Sequence, residues 1–168
     1  MSAARPPDSG GLSVCSSGRP LVAMQIIPAS LLDLNALSKI ERACFGKDAW
    51  PLLDLIAVLT FVDVVRLKAV ADGQMIGFVA GDARPSKDVA WIATIGVAPE
   101  YRRHGIGRSL LRACEAKLKT PRLRLSVRAS NDGAIRLYEQ EGYVRSEIWQ
   151  GYYSDGEAAV VMEKRRGL

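Results

Sequence analysis

One stretch constrains this chain more than any other: Val97-Ala98-Pro99-Glu100-Tyr101-Arg102-Arg103-His104-Gly105-Ile106-Gly107-Arg108, which joins an apolar run ending at Val97 to an amphipathic segment opening near Gly105. The pattern predicts a strand, a tight turn and the first turn of a helix. Two glycines one residue apart at a helix start let the backbone approach a ligand closely, and they leave amide N–H groups without intrahelical acceptors. Such a cradle suits a phosphate group. Arg102, Arg103 and Arg108 bracket it with guanidinium forks whose geometry matches phosphate oxygens. The expected ligand is a phosphorylated cofactor.

At 168 residues, 48% of them hydrophobic, the chain fits one domain that buries its core without disulfides or metal. Cys15, Cys44 and Cys114 are an odd number with no CxxC spacing, which points away from a disulfide framework and a zinc site and towards a reducing cytoplasm. The net charge of +5 is unevenly placed, because residues 101–128 hold nine Lys or Arg against the single acid Glu115. This is a solvated basic face or a nucleic-acid surface. The segment lacks the interleaved aromatics that stack on bases, so no nucleic-acid partner is expected. Residues 1–23 are rich in Gly, Pro and Ser and are expected to be a disordered tail, leaving a domain over residues 24–165. Leu12-Ser13-Val14-Cys15 has the residue types of a lipoprotein cleavage site, but no apolar run of about seven or more precedes it. No stretch is long and apolar enough to predict a membrane span.

The ordered chain reads as a succession of short elements. Met24 to Pro28 is a strand, and Ser30 caps a helix whose apolar positions are Leu32, Leu34, Leu37, Ile40 and Ala43, ending near Phe45-Gly46. After the loop Lys47 to Pro51, Pro51 opens a second helix to about Leu59. Val64 to Ala71 and Met75 to Ala80 flank Asp72-Gly73-Gln74, the chemistry of a hairpin. Gly81 to Lys87 is a loop. Val89 to Val97 is a nearly continuous apolar strand, expected to be buried on both faces, and Gly96 within it signals a bulge or a close backbone approach. Ile106, Leu110, Ala113, Cys114 and Leu118 form a helical stripe that makes Cys114 a core residue. Leu123, Leu125 and Val127 alternate with Arg124, Ser126 and Arg128 as a strand. Ser130 or Asn131 caps a helix through Glu141 with Ala134, Leu137 and Tyr138 on one side and Gly142 at its end. Tyr143 to Gln150 and Ala158 to Glu163 form a final hairpin across Tyr152 to Gly156. This alternation implies a mixed α/β sheet.

The dinucleotide fingerprint fails, since Gly105-Ile106-Gly107 has no third glycine at the required spacing, and the phosphate-loop pattern fails for want of Gly-Lys-Ser/Thr. What remains is Arg-x-x-Gly-x-Gly over Arg102 to Gly107, directly after a strand ending in Val-x-Pro. Here the sequence resembles the GNAT superfamily of N-acetyltransferases over roughly residues 24–165. Arg128-Ala129-Ser130-Asn131, Leu137-Tyr138-Glu139, Gly142-Tyr143 and Tyr152-Tyr153 resemble more narrowly its ribosomal-protein alanine N-acetyltransferase branch. The resemblance implies a mixed, mostly antiparallel central sheet flanked by helices, the acyl-CoA N-acyltransferase fold. It implies acetyl-CoA as co-substrate with no metal, and direct transfer in a ternary complex to a primary amine, best a protein or peptide N-terminus. A small-molecule amine acetyltransferase and a catalytically silent acetyl-CoA-binding module are the alternatives, and the protein is expected as a monomer or homodimer.

Residue roles follow from the same resemblance. The backbone of Ile95 and Val97, at a bulge near Gly96, would meet the acetyl carbonyl and pantetheine. The amides of Arg103, His104, Gly105, Ile106, Gly107 and Arg108, beside Arg102, would hold the pyrophosphate, and Asn131 would contact the coenzyme. Tyr138 would protonate the departing thiolate. Phe45, Trp50, Tyr152 and Tyr153 would wall an aromatic, nearly uncharged acceptor cleft. The related alanine acetyltransferases carry a glutamate base at the position of Ser126, and serine is no base at neutral pH. The expectation is therefore a water held by Ser126 and Thr94 that relays the proton towards Glu147. His104, the one histidine, belongs beside the pyrophosphate rather than at the acetyl group.

Overall fold

The computed structural model describes residues 24–83 and 88–167. The expected tail over 1–23, with Cys15, and the end of the Gly81–Lys87 loop lie outside the described residues. In chain order the elements are β1 (Gln25–Pro28), α1 (Leu34–Phe45), α2 (Leu52–Thr60), β2 (Val64–Ala71), β3 (Gln74–Asp82), β4 (Val89–Val97), α3 (Ile106–Lys117), β5 (Arg122–Arg128), α4 (Asp132–Gln140), β6 (Val144–Trp149) and β7 (Ala159–Arg165). They follow the order read from the sequence, with short 3-10 turns at Leu31–Asp33, Gly46–Asp48 and Pro99–Tyr101 added.

The seven strands form one sheet in the order β1-β2-β3-β4-β5-β7-β6. Every pairing is antiparallel except β4 with β5, whose crossover is α3. This is the mixed, mostly antiparallel sheet expected. β2 and β3 turn through Asp72 and Gly73, both at positive φ, as a two-residue hairpin requires. β7 lies between β5 and β6, so the final hairpin also closes the sheet onto the crossover strand.

Two apolar cores sit on opposite faces. Beneath α3 and α4, Leu67, Val79, Ile92, Leu110, Leu111, Leu125 and Met162 are buried together; beneath α1 and α2, Leu37, Leu55, Leu59, Phe78 and Ala80 form the second cluster. Cys114 is fully buried in the first, and burial raises its thiol to about 12, which fits the packing role expected. The stripe of α1 is rotated from the expected one. Leu32 and Ala43 are exposed, and the buried side is Leu37, Ile40 and Glu41.

β4 corrects two expectations. Its residues alternate in burial rather than being buried on both faces, and its irregularity does not fall at Gly96, which pairs in register with Phe78. Ala80 partners Thr94 while Gly81 partners Ile92, so the extra residue is Ala93. A bulge shifts side-chain parity. Ala90 and Ile92 point into the core under α3 before it, and Ile95 and Val97 pack against that same core after it. Thr94 and Gly96 are thereby turned towards α1. A Cβ on Gly96 would lie 3.2 Å from Cys44 Sγ, so its glycine serves the close approach of that helix.

α3 crosses β3 just as tightly, since a Cβ on Gly81 would lie 2.8 Å from both Cys114 Sγ and Leu118 Cδ1. Both neighbours are buried and have little room to yield. Gly81→Ala should therefore lower unfolding free energy by about 1–3 kcal/mol in urea titration, whereas an unchanged midpoint would show that α3 moves away at no penalty.

Candidate active site

The parallel pair β4/β5 is short. Its register runs from Val89↔Arg122 to Ile92↔Leu125 and stops, while β5 continues to Arg128 paired only with β7. Beyond the Ala93 bulge the two strands diverge, and the wedge between them is a cleft of about 330 Å³. The upper edge of β4 faces this cleft without a strand partner on that side. Of the expected site residues, Phe45, Trp50, Ile95, Ser126, Asn131, Tyr138, Tyr152 and Tyr153 all line it.

A residue absent from the sequence reading stands at its centre. Glu41 projects from α1, is 2% exposed and lines the cleft. The Thr94 hydroxyl donates to Glu41 Oε1 at 2.9 Å, while Glu41 Oε2 is buried and, among the described residues, has no partner at full hydrogen-bond geometry. Burial pushes its carboxyl above the ordinary glutamate value, against the opposing effects of the Thr94 hydroxyl and the Trp50 backbone N–H. A carboxylate shifted upwards takes a proton more readily than an ordinary glutamate, the direction a general base needs. The available signal was positional: Leu37, Glu41 and Cys44 recur at i, i+4 and i+7, so Glu41 interrupts an apolar stripe. The bulge completes the pair by placing Thr94 opposite.

Tyr138 is buried beside the cleft, and burial raises its phenol, so it holds its proton at neutral pH. Its ring meets Tyr143 edge-on at 6.0 Å. Tyr143 in turn donates to buried Glu115 at 2.8 Å, whose other oxygen binds Lys164 at 2.6 Å. Asn131 caps α4 by accepting from the Ala134 N–H at 3.1 Å, which leaves its amide NH2 as a donor for a ligand.

The anion cradle is built as its glycines suggest, with one difference. Gly105 is left-handed at φ 76, and no side chain caps α3. Arg103 is also left-handed, at φ 65. A Cβ on Gly105 would meet nothing within 4 Å, whereas one on Gly107 would make ordinary contacts with Val97 Cγ2 at 3.7 Å and Leu137 Cδ2 at 3.8 Å. These features fit a phosphorylated group held by backbone amides. The guanidinium groups do not all bracket it as expected. Arg108 forms an ion pair with Glu141 at 3.0 Å and a hydrogen bond to Gln140, and Arg102 Nε donates to the Val97 carbonyl at 3.1 Å. The Val97 carbonyl also receives the Cys44 thiol at 3.2 Å. His104 Nδ1 lies 3.2 Å from the Tyr101 carbonyl, at the cradle and outside the cleft lining.

Glu147 is not brought into the cleft. It pairs with Arg124 at 2.8 Å and accepts from Trp149 Nε1 at 3.0 Å. The Trp149 hydrogen bond first, and Arg124 second, hold its carboxyl below the usual range, so a proton relay has a nearer terminus in Glu41. The acceptor loops are also more charged than expected, because Asp48, Asp155 and Glu157 converge on Arg128. Among the described residues no group of His, Cys, Asp or Glu could hold a metal ion, and no helix is long and apolar enough to cross a membrane.

The family model described as the acetyltransferase (GNAT) family matches residues 34–143. An N-alpha-acetyltransferase from Saccharolobus solfataricus is 39% identical over 156 residues, covering 81% of this chain and 89% of that protein. The crystal structure of the ribosomal-protein-S18-alanine N-acetyltransferase from Escherichia coli superposes with a TM-score of 0.79 at 29% identity, over 87% of this chain and 96% of that one. The PaiA N-acetyltransferase from Thermoplasma acidophilum, solved in complex with coenzyme A, shares the fold with a TM-score of 0.71 at 20% identity, over 86% of this chain and all of that one.

The raised carboxyl of Glu41 carries a stability consequence. The folded chain keeps this proton to a higher pH than the unfolded chain, so stability falls as pH rises from the unfolded value through the folded one, and the penalty is complete above it. Glu41→Gln should raise the thermal midpoint at pH 8 and change it little at pH 4. Calorimetry showing equal shifts at both pH values would contradict the assignment.

Proposed function

The chain belongs to the GNAT acetyltransferase family, and on that premise we propose that it moves the acetyl group of acetyl-CoA directly to the α-amine of a protein or peptide N-terminus, within a ternary complex. The observation that carries this reading is the buried, half-satisfied carboxyl of Glu41 in the same cleft as Tyr138, beside the unpaired edge of β4. Acetyl transfer needs a neutral amine, a polarised thioester carbonyl and a proton for the leaving sulfur.

Acetyl-CoA supplies the thioester. The amides from Arg103 to Arg108 at the start of α3 hold its pyrophosphate, and the upper edge of β4 at Ile95 to Val97 receives the acetyl and pantetheine portion. The Asn131 amide donates to the coenzyme from the start of α4. Glu41 Oε2 accepts a proton from the acceptor ammonium, with Thr94 fixing the carboxyl through Oε1. The amine nitrogen then bonds to the acetyl carbon as the carbon–sulfur bond breaks, the nitrogen gives up its second proton to water as the neutral amide forms, and Glu41 returns its proton to solvent. Tyr138 gives its proton to the thiolate and regains one from solvent. Ser126, on the cleft wall, holds the water that takes the nitrogen's second proton.

An α-amine titrates near pH ~8, within reach of a raised carboxylate; a lysine side chain is a far stronger base. The relatives named for N-alpha and alanine acetylation support the same acceptor class. The silent-module alternative rested on Ser126 replacing a base, and Glu41 supplies a carboxylate in its stead.

A thiol-release assay with acetyl-CoA and a panel of short peptides and small amines tests the reading: peptide-selective turnover is expected, and turnover of small amines alone would refute the acceptor class. Tyr138→Phe should lower kcat about 100-fold with the KM for acetyl-CoA unchanged, and an unaltered kcat removes Tyr138 as the acid. Glu41→Gln should abolish the acidic limb of the pH dependence of kcat/KM for the peptide, whereas His104→Ala should leave that limb in place.

A further inference from the structure

Arg128 ends β5 at the mouth of the cleft and joins two segments far apart in sequence. Its Nε donates to Asp48 Oδ2 at 3.0 Å, on the turn after α1. Its Nη1 donates to Asp155 at 3.1 Å and to Glu157, both on the β6–β7 loop. The Tyr153 ring lies 4.0 Å from the guanidinium carbon. The two segments also touch directly, through Ser154 Oγ to Asp48 Oδ1 at 3.2 Å and Lys47 Nζ to Asp155 at 2.8 Å. Glu157 is further fixed by the Ser130 N–H at 2.8 Å.

The same segments carry Phe45 and Trp50 on one side and Tyr152 and Tyr153 on the other, and all four line the cleft. We infer that Arg128 is a positioning residue for the acceptor: one guanidinium straps the two aromatic walls together and so sets the width of the acceptor end. The inference rests on the cleft being the acceptor site. Its physical basis is the planar fork, which bonds several carboxylates at fixed angles where an ammonium offers one compact charge. Without it, Asp48, Asp155 and Glu157 are left facing one another with Lys47 as the remaining cation of the cluster, and repulsion drives the walls apart. In the coenzyme half of the site, α3 and the upper edge of β4 share none of these bonds, and the start of α4 is touched only through Glu157 and the Ser130 N–H.

The test separates acceptor from coenzyme. Arg128→Gln should raise the peptide KM about tenfold or more and leave the acetyl-CoA KM within twofold. Arg128→Lys should fail to restore it, and adding Asp48→Asn to Arg128→Gln, which removes one of the facing carboxylates, should bring the peptide KM part of the way back. A parallel rise in both KM values, or an unchanged peptide KM, overturns the inference. Should Arg128→Gln fold poorly, Ser154→Ala and Asp48→Asn each remove a cross-loop bond, and each must raise the peptide KM alone. Hydrogen exchange needs no turnover: in Arg128→Gln, amides 46–50 and 152–157 should exchange faster together, and faster exchange in one loop only contradicts the strap. Absence of wild-type thiol release with any peptide is a different result, which strikes the proposed activity and leaves the exchange experiment to judge the strap.

Discussion

Everything at this site depends on one interruption in hydrogen-bonded pairing. β4 and β5 run parallel through Ile92 and Leu125 and then part, because the extra residue Ala93 turns the strand's side chains over and redirects its upper half. A parallel pair needs a crossover connection, and here the crossover opens on Gly105 and Gly107 and runs through α3. The divergence therefore places an unpaired strand edge, an uncapped helix start and a cleft at the same end of the sheet. The proposed anion and thioester sites both rest on that single break.

The buried polar groups around the cleft form two separate supports. Glu41 and Thr94 face each other across the seam between α1 and β4, and the remaining oxygen of Glu41 has, among the described residues, no partner at full hydrogen-bond geometry. A buried, unsatisfied carboxyl is destabilising, and this one sits where an incoming ammonium would satisfy it. On the other side, Tyr138 is set by Tyr143, Glu115 and Lys164. Arg108 and Arg112 both bind Glu141 at the end of α4, which ties the helix carrying Tyr138 to the helix that opens at the cradle. Tyr138 and the cradle are thus tied to one another through Glu141, while Glu41 is carried on α1.

Features carried by local pattern were legible from the sequence. The glycine cradle, a cap at Ser130 or Asn131, the hairpin around Asp72-Gly73 and the order of all eleven helices and strands depend on neighbours in the chain. So did the placement of Tyr138 on the inner side of α4. What escaped depends on register and on partners distant in sequence. Of the two readings open for Gly96, the close approach holds, against Cys44, while the bulge lies at Ala93, in a mismatch between β3 and β4 that no glycine marks. Glu41 is hidden because a stripe counted over apolar residues alone, Leu32, Leu34, Leu37, Ile40 and Ala43, passes over a charged residue on its buried side. Arg108 and Glu147 were assigned by residue type, and each is committed to a partner more than twenty residues away.

Amide hydrogen exchange along β4, with and without acetyl-CoA, measures the divergence itself. In the free protein, the amides of residues 93–97 that bond to β3 should already be protected and those on the cleft edge should exchange. Acetyl-CoA should protect the cleft-edge amides together with residues 103–108. Protection of 103–108 with no change along 93–97, or full protection of 93–97 before coenzyme is added, would contradict a site built on the parting of β4 and β5.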